Sequence, residues 1–233
     1  MSVATENVSY VRQTEILDPE KAANTFITIA GVGTVGSWAA KLLAAAGYKQ
    51  FHVIDMDIVE AHNLPSQAFP ITALGKNKAE AIAEEMLLIS EGLDISVQNY
   101  ELMGGEQFTP GVLVSAVDSM EMRKLLFELS AKGNTQMDLF IDFRMGGNTL
   151  KAYAFNPNDE KRCAQYEKTL YSAEEAEPLA CGGRTFAPVG PLAGAFITQY
   201  ITKHLREGDN PPYYLEMDFN RFSIASIGLP KDE

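Results

Sequence analysis

The chain has 233 residues, 46% of them hydrophobic and 21% charged, which is ordinary globular composition. Nineteen Lys and Arg stand against 31 Asp and Glu, a net charge of −12 that argues against a general nucleic-acid or polybasic membrane binder. With two cysteines and three histidines, neither a disulfide-stapled scaffold nor a tetrathiolate zinc site fits within one chain.

The N-terminus, MSVATENVSYVRQTE, has no apolar core and does not read as a signal peptide. No apolar stretch approaches the length of a membrane span, so a cytoplasmic protein is expected. Residues 1–25 read as an N-terminal arm. Residues 26–33, FITIAGVG, form a β-branched apolar run ending in glycine, which predicts a buried strand entering a turn. Residues 34–47 are Ala/Leu-rich at helical spacing and stop at Gly47, a C-terminal glycine cap. A second strand follows at 50–55, a helix at 75–90 and a strand at 94–102.

Residues 111–118 predict another buried strand, 120–133 a helix and 139–145 a strand. This alternation predicts an α/β, Rossmann-like, doubly wound and mostly parallel sheet with helices on both faces. TLKAYAFN (149–156) reads as a strand of a C-terminal antiparallel extension. Residues 157–186 are polar and irregular and read as a mobile crossover loop. A Gly/Ala/Ile-rich helix at 190–205 and one or two closing strands complete the chain. The whole is expected to be one domain, 1–233, with a nucleotide-binding core over 26–147 and an extension over 148–233.

Gly31-Val32-Gly33-Thr34-Val35-Gly36 satisfies G-x-G-x-x-G between a strand and a helix. Glycines there allow a tight turn and close approach to phosphate, and the helix start offers free N–H groups. Asp55 follows at the end of the second strand, where a carboxylate can accept from ribose hydroxyls. A nicotinamide-dependent oxidoreductase is the default reading of these two features alone. The polar segment after Asp55 departs from it, offering Asp57, Glu60, Asn63, Gln67, Lys76 and Lys78, with Asp118 at the end of the fourth strand.

Taken in order, Arg12-Gln13, GVGTVGS (31–37), DMDIVE (55–60), NLPSQ (63–67), GKNK (75–78) and Asp118-Ser119 resemble the ThiF/MoeB/HesA adenylyltransferases, bacterial relatives of ubiquitin-activating enzymes. The resemblance covers about residues 10–155 and extends more loosely to about 205. It implies ATP and Mg²⁺, and a small ubiquitin-like or sulfur-carrier protein or peptide as partner. The partner's C-terminal carboxylate would attack the α-phosphate, giving an acyl-adenylate and pyrophosphate. It further implies that Gly31, Gly33 and Gly36 admit the phosphates, that Asp55 holds the ribose and that Asp57 joins the nucleotide site. Asn63 and Gln67 would orient the phosphate region, Lys78 would neutralise charge and Asp118 would hold Mg²⁺. Arg12 would reach across a homodimer interface, to which the apolar helix near 190–205 would contribute. Arg123 and the RMGG segment (144–147) also fall where the family has similar residues.

Alternative readings come from the residues themselves. Lys76 reads as a solvated helix-start residue, Asp57 as a loop cap, and Arg123 as a partner of Glu121 or Glu128. Ser66 departs from the family, which usually has arginine there. Its absence removes a charge-assisted donor worth about 1.5–3 kcal/mol. Arg144, Arg123 or a residue of a partner would have to compensate. Otherwise ATP binding is weak, or the chain is a non-catalytic ATP-binding half of a heterodimer. The paired C-x-x-C motifs of many members are missing, so no structural zinc is expected. Cys181, flanked by Gly182, Gly183 and Arg184, is the candidate thiol for accepting the activated carrier. Cys163 is the weaker candidate.

Overall fold

The computed structural model describes residues 9–131, 137–146, 149–171, 188–207 and 211–227. In chain order it gives α1 (Pro19–Asn24), β1 (Phe26–Ala30), α2 (Thr34–Ala46), β2 (Gln50–Ile54), α3 (Lys78–Leu87) and β3 (Asp94–Gln98). Then come β4 (Gly111–Ser115), α4 (Met120–Ala131), β5 (Met137–Gly146), β6 (Thr149–Phe155), α5 (Glu160–Glu167), α6 (Val189–Glu207), β7 (Tyr214–Asp218) and β8 (Ser223–Ile227).

The strands form one eight-stranded sheet in the order β3-β2-β1-β4-β5-β6-β7-β8. The first five are mutually parallel and the last three pair antiparallel, as the alternation and the later change of texture predict. The order reverses between β1 and β4, where open α/β sheets place their ligands. Alternation along the strands sends side chains to two cores. Ile27, Ile29, Val112, Val114, Leu139 and Ile141 face one core with α2, α3 and α6 residues. Ala30, Leu113, Phe140 and Phe155 face the other with Leu126 and Phe127 of α4 and Tyr166 of α5.

Two segments differ from the sequence expectation. The arm contains a helix, α1, whose N-terminus is capped by the Asp18 carboxylate and which starts at Pro19. The expected loop at 157–186 opens with α5, capped by Asp159 through the Arg162 N–H. Helical spacing is nearly invisible there because Tyr166 is the one residue that α5 buries. The rest of that loop from residue 172 on lies outside the described residues.

The apolar side of α6 is already used within the chain. Val189, Ala193, Ile197 and Ile201 are buried in the α2-side core. A Cβ at Gly194 would lie 2.8 Å from the Trp38 carbonyl carbon, so glycine lets the two helix backbones approach closely. These residues are therefore not a free dimerisation face. No described helix is long and apolar enough to cross a membrane.

Candidate functional site

The three loop glycines divide into two kinds. Gly31 has φ +84°, and a Cβ on it would lie 2.7 Å from the Ala116 carbonyl oxygen. A Cβ on Gly36 would lie 1.9 Å from the Gly31 oxygen. Both positions are fixed by packing of the loop against β4 and the first turn of α2. Gly33 is different: the nearest atom to its Cβ position is Gln67 Nε2, 3.9 Å away. Gly33 is also the N-cap of α2, with no side chain capping it. The space over Gly33 and the first-turn N–H groups is where an anion can approach.

Asp55 stands one residue beyond β2 and bonds the glycine loop. Its Oδ2 accepts from the Val32 N–H at 2.7 Å, and its Oδ1 from the Asp57 N–H at 2.9 Å. Burial raises its carboxyl above its ordinary value, against the pull of those two donors and of Lys78. Lys78 is 8% exposed at the start of α3, and its Nζ lies 2.8 Å from Asp57 Oδ2. The Lys78 N–H also donates to the Asp57 carbonyl at 2.8 Å. Asp57 thus both shapes the loop and holds the lysine.

Asn77 connects these groups. Its Nδ2 donates at 3.0 Å to the carbonyls of both Asp55 and Asp57, and its Oδ1 caps α3 through the Glu80 N–H. Asn77 stands in the GKNK segment with no role that the motif assigns. An asparagine immediately before a helix is the signal that finds it. Lys76, by contrast, pairs with Glu84 at 2.5 Å on the surface, as its solvated reading predicts.

The 58–70 segment folds over the start of α2. Asn63, 7% exposed, accepts from the Glu60 N–H at 2.9 Å, so its side chain builds the loop. Gln67 lies beside Gly33, and its Oε1 is buried with no hydrogen-bond partner among the described residues. Ser66 Oγ is 3.1 Å from Thr34 Oγ1, and the Trp38 indole donates to the Ser66 carbonyl at 3.0 Å. Trp38 is a second brace that sequence reasoning missed.

Asp118 is exposed in the turn between β4 and α4, next to the Ala116 segment that touches Gly31. Arg123 does not pair with Glu121 or Glu128. It is 5% exposed and donates to Asp142, to the Phe143 carbonyl at 3.0 Å and to the Val117 carbonyl. Asp142 holds Arg144 as well, Nε to Oδ2 at 2.6 Å. Neither arginine is placed to replace the one missing at residue 66, because a fully buried carboxylate occupies both. Asp142 was also missed, although a lone acid inside the apolar run LFIDF demands buried partners.

Arg12 is exposed on a 3-10 turn, Val11–Gln13. Its neighbour Gln13 donates to the Ala46 carbonyl at the far end of α2 from the glycine loop. At 1.5 Å per residue that is about 18 Å from the loop, so Arg12 does not join the site of its own chain. Cys181 lies outside the described residues. Cys163 is on α5, its thiol 3.2 Å from the Pro157 carbonyl oxygen. Among the described residues no three His, Cys, Asp or Glu side chains gather to hold a metal ion. A single hard carboxylate such as Asp118 suits Mg²⁺ bound chiefly by substrate phosphates.

Comparison with known proteins agrees with the fold. The model of the ThiF family matches residues 8–233. A tRNA threonylcarbamoyladenosine dehydratase 2 of Saccharomyces cerevisiae is 27% identical over 132 residues, 53% of this chain and 29% of the yeast protein. The NEDD8-activating enzyme E1 catalytic subunit of Arabidopsis thaliana is 32% identical over 106 residues, 43% of this chain and 23% of that protein. The matched segment thus spans between about a quarter and a third of these curated relatives' length. Among solved structures, E. coli MccB with ATP superposes with a TM-score of 0.75 at 20% identity, over 96% of this chain and 72% of that one. E. coli MccB has also been solved with selenomethionine MccA, TM-score 0.76 at 19% identity, over 98% of this chain and 74% of that one.

Proposed function

The chain belongs to the ThiF family, and from that premise we propose that it is an ATP-dependent adenylyltransferase for the C-terminal carboxylate of a small carrier protein or a peptide. The supporting observation is the open approach over Gly33, with Gln67 beside it, its Oε1 unpartnered among the described residues, and with Asp55 bonded to the adjacent Val32 N–H and Lys78 held nearby by Asp57. Relatives named as activating enzymes and solved structures holding ATP or MccA agree with this reading.

In this reading the first-turn N–H groups of α2 bind phosphate oxygens. Asp55 has lone pairs left to accept from ribose hydroxyls. Lys78 turns from Asp57 toward the phosphates and neutralises charge that builds on the leaving pyrophosphate. The partner's carboxylate oxygen forms a bond to the α-phosphorus as the bond to the β-bridging oxygen breaks. Asp118 holds Mg²⁺, which when bound neutralises phosphate charge. The chain works as a homodimer, Arg12 of one copy reaching the other copy's site. Cys181 then offers a thiolate to the acyl-adenylate, forming a thioester and releasing AMP.

Ser66 favours one second reading. Its hydroxyl meets Thr34, and Arg123 and Arg144 are tied to Asp142, so the site has less positive charge than the family pattern expects. A chain with that deficit fits a nucleotide-binding subunit that does not adenylylate. ATP–pyrophosphate exchange with candidate carriers separates the two. Carrier-dependent exchange supports the enzyme, whereas ATP binding without exchange supports the subunit.

A further inference from the structure

Asp142 has no solvent exposure, yet its carboxylate sits in the middle of apolar β5. Arg123, Arg144 Nε at 2.6 Å and the Tyr166 hydroxyl at 2.9 Å all donate to it. Balancing a buried charge accounts for these donors. It does not account for the other bonds of Arg123. The Nη1 that meets Asp142 also reaches the Phe143 carbonyl at 3.0 Å, and Nη2 reaches the Val117 carbonyl. Val117 immediately precedes Asp118. On the other side, Ser119 Oγ accepts from the Met122 N–H at 3.0 Å and caps α4. Asp118 is therefore held between two anchored neighbours while its own carboxylate stays exposed. The planar fork of arginine can span the Asp142 carboxylate and the Val117 carbonyl together, whereas a lysine ammonium cannot.

We propose that Asp142 and Arg123 are positioning residues for Asp118, fixing the 117–119 turn so that the Asp118 carboxylate is presented beside the glycine loop. The proposal rests on the reading that Asp118 serves the nucleotide's metal ion. Arg144 is the internal control. It shares Asp142, but its other arms go to the Thr169 carbonyl and hydroxyl, both at 2.9 Å, and not to the Asp118 turn.

The test is calorimetric ATP binding to the full chain across a Mg²⁺ titration, with thermal unfolding measured alongside. Wild type, Asp118→Ala, Arg123→Lys and Arg144→Lys are compared. Wild-type affinity is expected to rise with Mg²⁺, and Asp118→Ala to lose that rise. Arg123→Lys is expected to need about 10-fold more Mg²⁺ for half-saturation, the usual effect of losing a group that orients a metal ligand. Arg144→Lys is expected to titrate like wild type even if its melting temperature falls. Should Arg123→Lys fail to fold, Asp142→Asn is measured in its place, and the same shift is expected. A Mg²⁺ requirement unchanged in Arg123→Lys and Asp142→Asn, with Asp118→Ala shifted, overturns the positioning role. An equal shift in Arg144→Lys overturns the route through Val117. If Asp118→Ala itself leaves the Mg²⁺ dependence intact, the nucleotide role of Asp118 fails and this proposal fails with it.

Discussion

Lys78 Nζ and Asp57 Oδ2 lie 2.8 Å apart, one side chain 10% exposed and the other 59%. The lysine enters along a buried stem and meets its partner at the surface, so a phosphate can compete with the aspartate for it. Lys78→Ala is expected to lower the rate of ATP–pyrophosphate exchange by about 100-fold, the range for losing one preorganised charge-stabilising group. Asp57→Asn keeps an acceptor for the lysine and is expected to cost less than about 10-fold. Steady-state exchange rates of the two variants check this order.

The glycine loop gives a contrast between folding and binding. Gly31→Ala places a side chain at φ +84° and against the Ala116 oxygen, so it is expected to lower the melting temperature. Gly33→Ala meets nothing closer than 3.9 Å and is expected to unfold like wild type. Its methyl group fills the space over the helix start, so ATP binding is expected to weaken. Thermal unfolding with and without ATP reads both effects in one experiment.

Asp55 predicts opposite pH trends for stability and binding. Its carboxyl is raised above its ordinary value chiefly by burial. In the window between the ordinary value and the raised one, the folded chain holds a proton that the unfolded chain has lost. The stability contributed by this group is present on the acid side and is lost as pH rises through the raised value. Nucleotide affinity runs the other way, because a protonated carboxyl is a poorer acceptor for ribose hydroxyls. Unfolding and ATP-binding titrations from neutral to acid pH check the signs, with Asp55→Asn expected to flatten both.

Ser66→Arg tests the charge deficit. Restoring the guanidinium is expected to tighten ATP binding by about 10-fold or more, following the ~1.5–3 kcal/mol of a charge-assisted bond. Losing the contact between Ser66 and Thr34 offsets little of this, because Trp38 holds the loop through the residue 66 carbonyl. Calorimetry of the variant and wild type reads the difference.

Much of the architecture was legible because the strands are short, apolar and separated by helices with clear spacing. The 26–33 run reads as a strand entering a turn, and the structure ends β1 at Ala30 with the turn over 31–33 before α2. Helix α5 was hidden by its polar composition, since a cap at Asp159 and one buried tyrosine hold it. The glycine loop, Asp55 and Lys78 were legible as spaced motifs, and the structure brings them together. Asp142 was not, because two of its three partners, Arg123 and Tyr166, lie 19 and 24 residues away and only the fold unites them. The Glu121 or Glu128 pairing expected for Arg123 looked only along its own helix, at offsets of two and five residues that do not bring side chains together, and missed a carboxylate on the facing strand.

Carrier-dependent ATP–pyrophosphate exchange tests adenylylation most directly, comparing wild type with Lys78→Ala and Asp118→Ala. Exchange is expected to require a free C-terminal carboxylate on the carrier or peptide and to fall sharply in both variants. Exchange that proceeds unchanged in both variants would contradict the site assignment. ATP binding without exchange for any carrier would contradict the enzyme itself.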